Sequence, residues 1–176
     1  PAGLIMMMVQ TAIRSIVMND SKIVPSKLLD KVVKSIGYNM KNMLEQKFMT
    51  ISTFNFRSDG SVLCSGRHED ILIYRKDTAS VKVIKTVGIC LSHWKLGNRG
   101  KNITFKLNKG DVLLLYTDGI IEARDSDGNL FGLKKLISIF QACGNENPIK
   151  IKDTILNELK GYETDDDVTI LVLKKK

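Results

Sequence analysis

The spacing of the hydrophobic residues changes three times along this chain, and the order of those changes restricts the fold more than any other property. From Ala2 to Met18 the residues are apolar on most faces of a helix. After the turn Asn19-Asp20-Ser21-Lys22 a second helix is predicted from Pro25. Its Leu28, Leu29, Val32, Val33, Ile36, Met40, Met43 and Leu44 fall three and four residues apart, with Lys27, Lys31, Lys34 and Lys41 on the other side. Strand texture begins at Phe48. Phe48–Arg57, the turn Ser58-Asp59-Gly60 and the return Val62–Ser65 predict a hairpin. Ile71–Tyr74 and Val81–Val87 predict two more strands, and Ile103–Leu107 with Val112–Tyr116 a strand pair around Asn108-Lys109-Gly110. Residues 88–101 between them form a loop. Helical spacing resumes over Gly132–Cys143, with Gly144 as its stop, and Asn147-Pro148 opens a helix to Lys160. Val168–Leu173 is a final strand.

Elements grouped by type, rather than alternating, predict an α+β fold. Val112–Tyr116 and Val168–Leu173 are nearly unbroken apolar runs, which predicts strands covered on both faces. A β-sandwich of mainly antiparallel sheets flanked by helix pairs meets that requirement. The 176 residues suit a single domain, with a helix pair over 1–47, strands over 48–116, a helix pair over 132–160 and the last strand at 168–173.

The formal charge of +8 comes from 27 basic against 19 acidic residues. The lysines are spread along the chain, with Lys174-Lys175-Lys176 as their one run, which argues against dedicated nucleic-acid binding. Cys64, Cys90 and Cys143 are far apart and odd in number, which fits reduced thiols and a cytoplasmic setting. The apolar start lacks a basic segment and a cleavage site, and Gln10, Arg14 and Ser15 interrupt it, so it predicts a core helix and no membrane span.

Candidate chemistry collects at two strand ends. Asp118 follows the run Val112–Tyr116 and is itself followed by Gly119, which lets the backbone turn and a ligand approach closely. Asp165-Asp166-Asp167 precedes the last strand, and adjacent carboxylates repel unless solvated or neutralised by a cation. If the two strands are neighbours, their acidic ends converge. Oxygen donors without His or Cys favour Mg²⁺ or Mn²⁺, which can lower the pKa of water and neutralise phosphoryl oxygens. The alternative is a pair of turn-forming aspartates. Asp125-Ser126-Asp127-Gly128 places its Gly too early for a calcium loop and reads as a plain turn. His68 and His93 have no nucleophile arranged beside them, and Gly97-Asn98-Arg99-Gly100 lacks the ending of a phosphate cradle.

The stretch Gly110-Asp111-Val112-Leu113-Leu114-Leu115-Tyr116-Thr117-Asp118-Gly119-Ile120-Ile121-Glu122-Ala123-Arg124, continued by Asp127-Gly128 and Leu130-Phe131-Gly132, resembles a known family. It is the stage II sporulation protein E-like branch of the metal-dependent, type 2C Ser/Thr protein phosphatases. Asp166-Asp167-Val168-Thr169-Ile170-Leu171-Val172-Leu173 is similar to that family's last strand, Pro1-Ala2-Gly3-Leu4 to the start of its first helix, and Gly66-Arg67-His68-Glu69 loosely to a turn in its middle. The resemblance implies a two-metal Mn²⁺ or Mg²⁺ centre and hydrolysis of phosphoserine or phosphothreonine on a regulatory protein of the anti-sigma-factor antagonist type. Asp118 and Asp166 match metal ligands of the family, Gly119 and Asp167 would support them, and Thr169 would be structural. The family's remaining acidic ligands lie on strands before the first helix, so the resemblance implies a domain truncated at its N-terminus that holds part of the site. A non-catalytic phosphoprotein-binding or regulatory module on the same fold is the alternative. The resemblance also leaves room for an upstream sensor domain, a homodimer, and a regulatory role for the first helix pair, against ordinary core packing of Ile5–Met8 on Leu28–Leu44.

Overall fold

The computed structural model describes residues 2–42, 49–86 and 101–176. His93, Cys90, Val87 and Gly97–Gly100, with Met43, Leu44 and Phe48, lie outside the described residues. The chain divides into two compact units, Pro1–His68 with Thr86–Lys106 and Glu69–Lys85 with Leu107–Lys176.

The first unit carries α1 (Ala2–Asn19), α2 (Pro25–Asn42), β1 (Ile51–Phe56), β2 (Ser61–Arg67) and β5 (Ile103–Lys106). α1 ends where the Asn19 side-chain amide donates to the Ser15 carbonyl at 2.8 Å. Ile5 and Val9 of α1 pack with Ile23, Leu28, Val32 and Ile36 into one core cluster. Lys27, Lys31 and Lys34 are exposed, as the lysine spacing of α2 predicts. β1 and β2 form the predicted hairpin, and Gly60 turns it with φ of +84° and an N–H to the Arg57 carbonyl at 3.0 Å. The sheet order is β1-β2-β5, antiparallel throughout.

The second unit carries β3 (Ile71–Arg75), β4 (Ser80–Ile84), β6 (Val112–Tyr116), α3 (Asp118–Ile121), α4 (Gly132–Cys143), α5 (Pro148–Glu158) and β7 (Ile170–Lys174). Its antiparallel sheet runs β4-β3-β6-β7. Leu72, Tyr74, Val112, Leu114 and Tyr116 share one core cluster with Leu136 and Phe140 of α4 and Ile151 and Ile155 of α5. Ile71, Ile73 and Leu113 are also fully buried, so β3 and β6 are covered on both faces. The Asn147 side chain caps α5 by accepting from the Lys150 N–H at 2.9 Å. The α+β class with mainly antiparallel sheets is as expected.

Four local expectations are corrected. β5 and β6 are not a strand pair, because β5 joins β2 and β6 joins β3. The cause is Asp111, whose buried carboxylate accepts from the Asn108 N–H (2.9 Å), the Lys76 N–H (3.0 Å) and the Arg75 guanidinium (2.6 Å), which ties the turn to the end of β3. β7 starts at Ile170 rather than Val168, and at the sheet edge its Leu171 is 49 % exposed rather than covered. Gly144 ends α4 in an ordinary right-handed conformation, φ of −62°, so it does not serve as a left-handed stop. It is required because a Cβ there would run into the ring of Tyr74. Lastly, β4 ends at Ile84, short of the predicted Val87.

Candidate metal centre

The antiparallel pairing of β6 with β7 aligns Tyr116 with Ile170, so the end of one strand lies beside the beginning of the other. Asp118 emerges there in the first turn of α3, half-buried, and Asp166 and Asp167 lie in the exposed segment leading into β7. The two ends are bonded together. The Thr117 N–H donates to the Thr169 carbonyl at 3.1 Å. The Thr117 hydroxyl accepts from the Thr169 N–H at 2.9 Å and donates to the Asp167 carbonyl at 3.0 Å. Thr169 thus acts through its backbone.

Gly119 is needed for this closeness. A Cβ on it would lie 2.8 Å from the Asp167 carbonyl oxygen and 3.1 Å from that of Asp166. Each carboxylate makes one local contact: Asp118 Oδ1 accepts from the Gly119 N–H at 3.1 Å, and Asp166 Oδ1 from the Asp167 N–H at 2.7 Å. The other oxygen of each has no hydrogen-bond donor among the described residues. Asp167 enters through its backbone groups. The structure therefore brings Asp118, Gly119, Asp166 and Asp167 to one place.

The donor chemistry fits a hard divalent cation, since it consists of carboxylate oxygens beside a tight backbone approach. Among the described residues no group of three or more His, Cys, Asp or Glu side chains is placed to hold a metal ion. Two carboxylates are fewer than the six or more oxygens such ions take.

A cleft of about 240 Å³ opens beside the strand ends, lined by Gly119, Glu122, Ala123, Arg124, Leu130, Asp165 and Asp166. Arg124 and Leu130 lie in the stretch that resembles the family, which assigns them no role in the site. They meet through a bridge between the segments flanking the 125–129 turn, and the sequence signal for that turn is Asp125 followed by Gly128. Asp125 accepts from the Asn129 and Asp127 N–H groups, and the Asn129 backbone bond leads in holding its carboxyl below the usual range. The expected plain turn is what stands there. His68 is likewise structural: its Nδ1 lies 3.2 Å from the Thr50 hydroxyl and its N–H donates to the Thr86 hydroxyl. On β6, burial first and the charges of Glu69 and Asp70 second push the Tyr116 phenol up, so it stays protonated.

A family model described as stage II sporulation protein E matches residues 1–176. The phosphoserine phosphatase RsbU of Bacillus subtilis is 27% identical over 181 residues, covering all of this chain and 52% of that protein. The chain thus spans about half the length of that relative. Among solved structures, the SiaA-PP2C domain of Pseudomonas aeruginosa superposes with a TM-score of 0.81 at 20% identity, covering 100% of this chain and 70% of that one. The RsbU and RsbW domains of a Mycobacterium tuberculosis protein give 0.77 at 23% identity, covering 100% and 48%. The Mn-presoaked phosphatase domain of SpoIIE from Bacillus subtilis gives 0.60 at 15% identity, covering 97% and 73%. These likenesses establish a PP2C-type fold.

Proposed function

The chain belongs to the stage II sporulation protein E family, and from that premise we propose that it is the catalytic region of a metal-dependent protein Ser/Thr phosphatase. Its substrate would be phosphoserine or phosphothreonine on a regulatory protein, of the anti-sigma-factor antagonist type. The observation that carries this is the packing of Gly119 against the Asp166 and Asp167 carbonyls, which sets two acidic strand ends side by side.

In this proposal Asp118 and Asp166 hold Mn²⁺ or Mg²⁺. Such a cation supplies a lowered pKa for water and neutralisation of phosphoryl charge. Asp118 leaves a rigid, doubly covered strand, so its carboxylate position is set by the core rather than by a loop. Thr117 and Gly119 keep the Asp166 segment against it. Two carboxylates leave the rest of an oxygen shell to waters, to the substrate phosphate or to ligands outside the described residues. The donor shortage also favours a rival, a phosphoprotein-binding module without turnover.

Hydrolysis of a phosphoserine peptide by the native-length protein separates the two. The expected outcome is Mn²⁺-dependent release of phosphate that Asp118→Asn or Asp166→Asn reduces by about a hundredfold or more. Full turnover by both variants would remove these aspartates from the site. Peptide binding without hydrolysis would favour the rival.

A further inference from the structure

Beside the paired strand ends the cleft lining holds three carboxylates, Glu122, Asp165 and Asp166, and a single cationic residue among the described residues, Arg124. We propose that Arg124 binds the phosphoryl group of the substrate, an inference that rests on the phosphatase reading above. A phosphomonoester dianion entering an acidic cleft is repelled by those carboxylates, and a guanidinium fork can take two of its oxygens at once.

Arg124 is ordered in advance. Its N–H donates to the Glu163 carbonyl at 2.9 Å and its carbonyl accepts the Glu163 N–H at 2.7 Å, while Leu130 bridges it on the other side. Its backbone is therefore held between the segment that leads to Asp165 and the return from the 125–129 turn. One guanidinium nitrogen, Nη1, donates to the Gly128 carbonyl at 2.9 Å. That turn is itself braced by Asp125. The side chain is exposed and has further N–H donors for a ligand. A fork already tethered at one nitrogen loses less freedom on binding than a loose side chain. The cleft volume, about 240 Å³, falls below the range of roughly 300–1,000 Å³ usual for small-molecule sites and suits one phosphorylated side chain.

The test uses the native-length protein with Mn²⁺, a phosphoserine peptide and inorganic phosphate as the probe. Three quantities are read: KM for the peptide, the inhibition constant of phosphate, and the rise in thermal midpoint that phosphate causes, which needs no turnover. Arg124→Gln keeps a polar amide but removes the charge, and Arg124→Lys keeps a charge without the fork. Arg124→Gln is expected to raise KM and the phosphate constant together by about tenfold or more, to shrink the thermal effect correspondingly, and to leave the circular dichroism unchanged. Arg124→Lys should fall between it and wild type. An unchanged phosphate constant in Arg124→Gln overturns the proposal. A rise in KM alone also overturns it, by assigning Arg124 to the flanking peptide. If wild type turns nothing over but phosphate still stabilises it through Arg124, the phosphatase reading falls and the anion site stands. With neither turnover nor phosphate stabilisation, both fall.

Discussion

Thr117 uses one hydroxyl twice, accepting from the Thr169 N–H and donating to the Asp167 carbonyl. Thr117→Val preserves the shape and removes both bonds. It should cost about 1–2 kcal/mol in denaturant unfolding and lower activity by displacing Asp166, while Thr117→Ser should keep both. Retention of full activity by the valine variant would show that the hydroxyl does not position the acidic segment. At this scale the sequence is only partly informative. Asp118 and Asp166 stand out because each adjoins a long apolar run. Thr117 does not, because its partners are 50 and 52 residues further on. Arg124 lies in the stretch that resembles the family, but its place is set by Glu163 across a backbone pairing that no local pattern announces.

Among the elements, the turn between β5 and β6 depends on Asp111. Burial alone raises its carboxyl, but the Asn108 and Lys76 N–H groups and Arg75 outweigh burial and hold it below the usual carboxylate range. A carboxyl lowered in the fold stabilises it above the unfolded value, about 3.9 for Asp, and this is lost as pH falls through the folded value. Stability should therefore decline below about pH 4. Asp111→Asn should flatten that decline and cost about 2 kcal/mol at neutral pH, read by urea unfolding. A parallel acid profile in the variant would show that Asp111 is not the group responsible. The end of α4 gives a second case. Gly144→Ala puts a methyl into the Tyr74 ring and should cost about 1–3 kcal/mol. A neutral result would mean that the ring turns aside without loss. The same elements show what spacing can reveal. α4 appears within its predicted bounds because its apolar positions repeat over three turns, whereas α3 spans four residues, too few for any period to register. The β5–β6 pairing misled because Asn-Lys-Gly resembles a hairpin turn, while the deciding contact is a side chain reaching β3.

For the molecule as a whole, the core of each unit is built from its own apolar side chains: Ile5, Val9 and Val32 in one, Leu72, Leu114 and Phe140 in the other. A chelator should therefore abolish phosphate release while leaving the far-ultraviolet circular dichroism nearly unchanged, and Mn²⁺ should restore activity. Collapse of the spectrum on chelation would instead make the cation part of the folding energy. Among the described residues no helix is long and apolar enough to cross a membrane. The α+β class was readable because elements of one type follow each other in blocks. The sharing of strands between two sheets was not, since that partition depends on which apolar faces find each other across long stretches of chain.

The lacing of β6 to β7 has one more consequence. Asp118 and Asp166 share a single mechanical fate, for displacing either strand end drags the other along. The two cannot separate without rupturing that stitching. Breaking the Thr117 bonds is therefore the one change expected to uncouple the two aspartates.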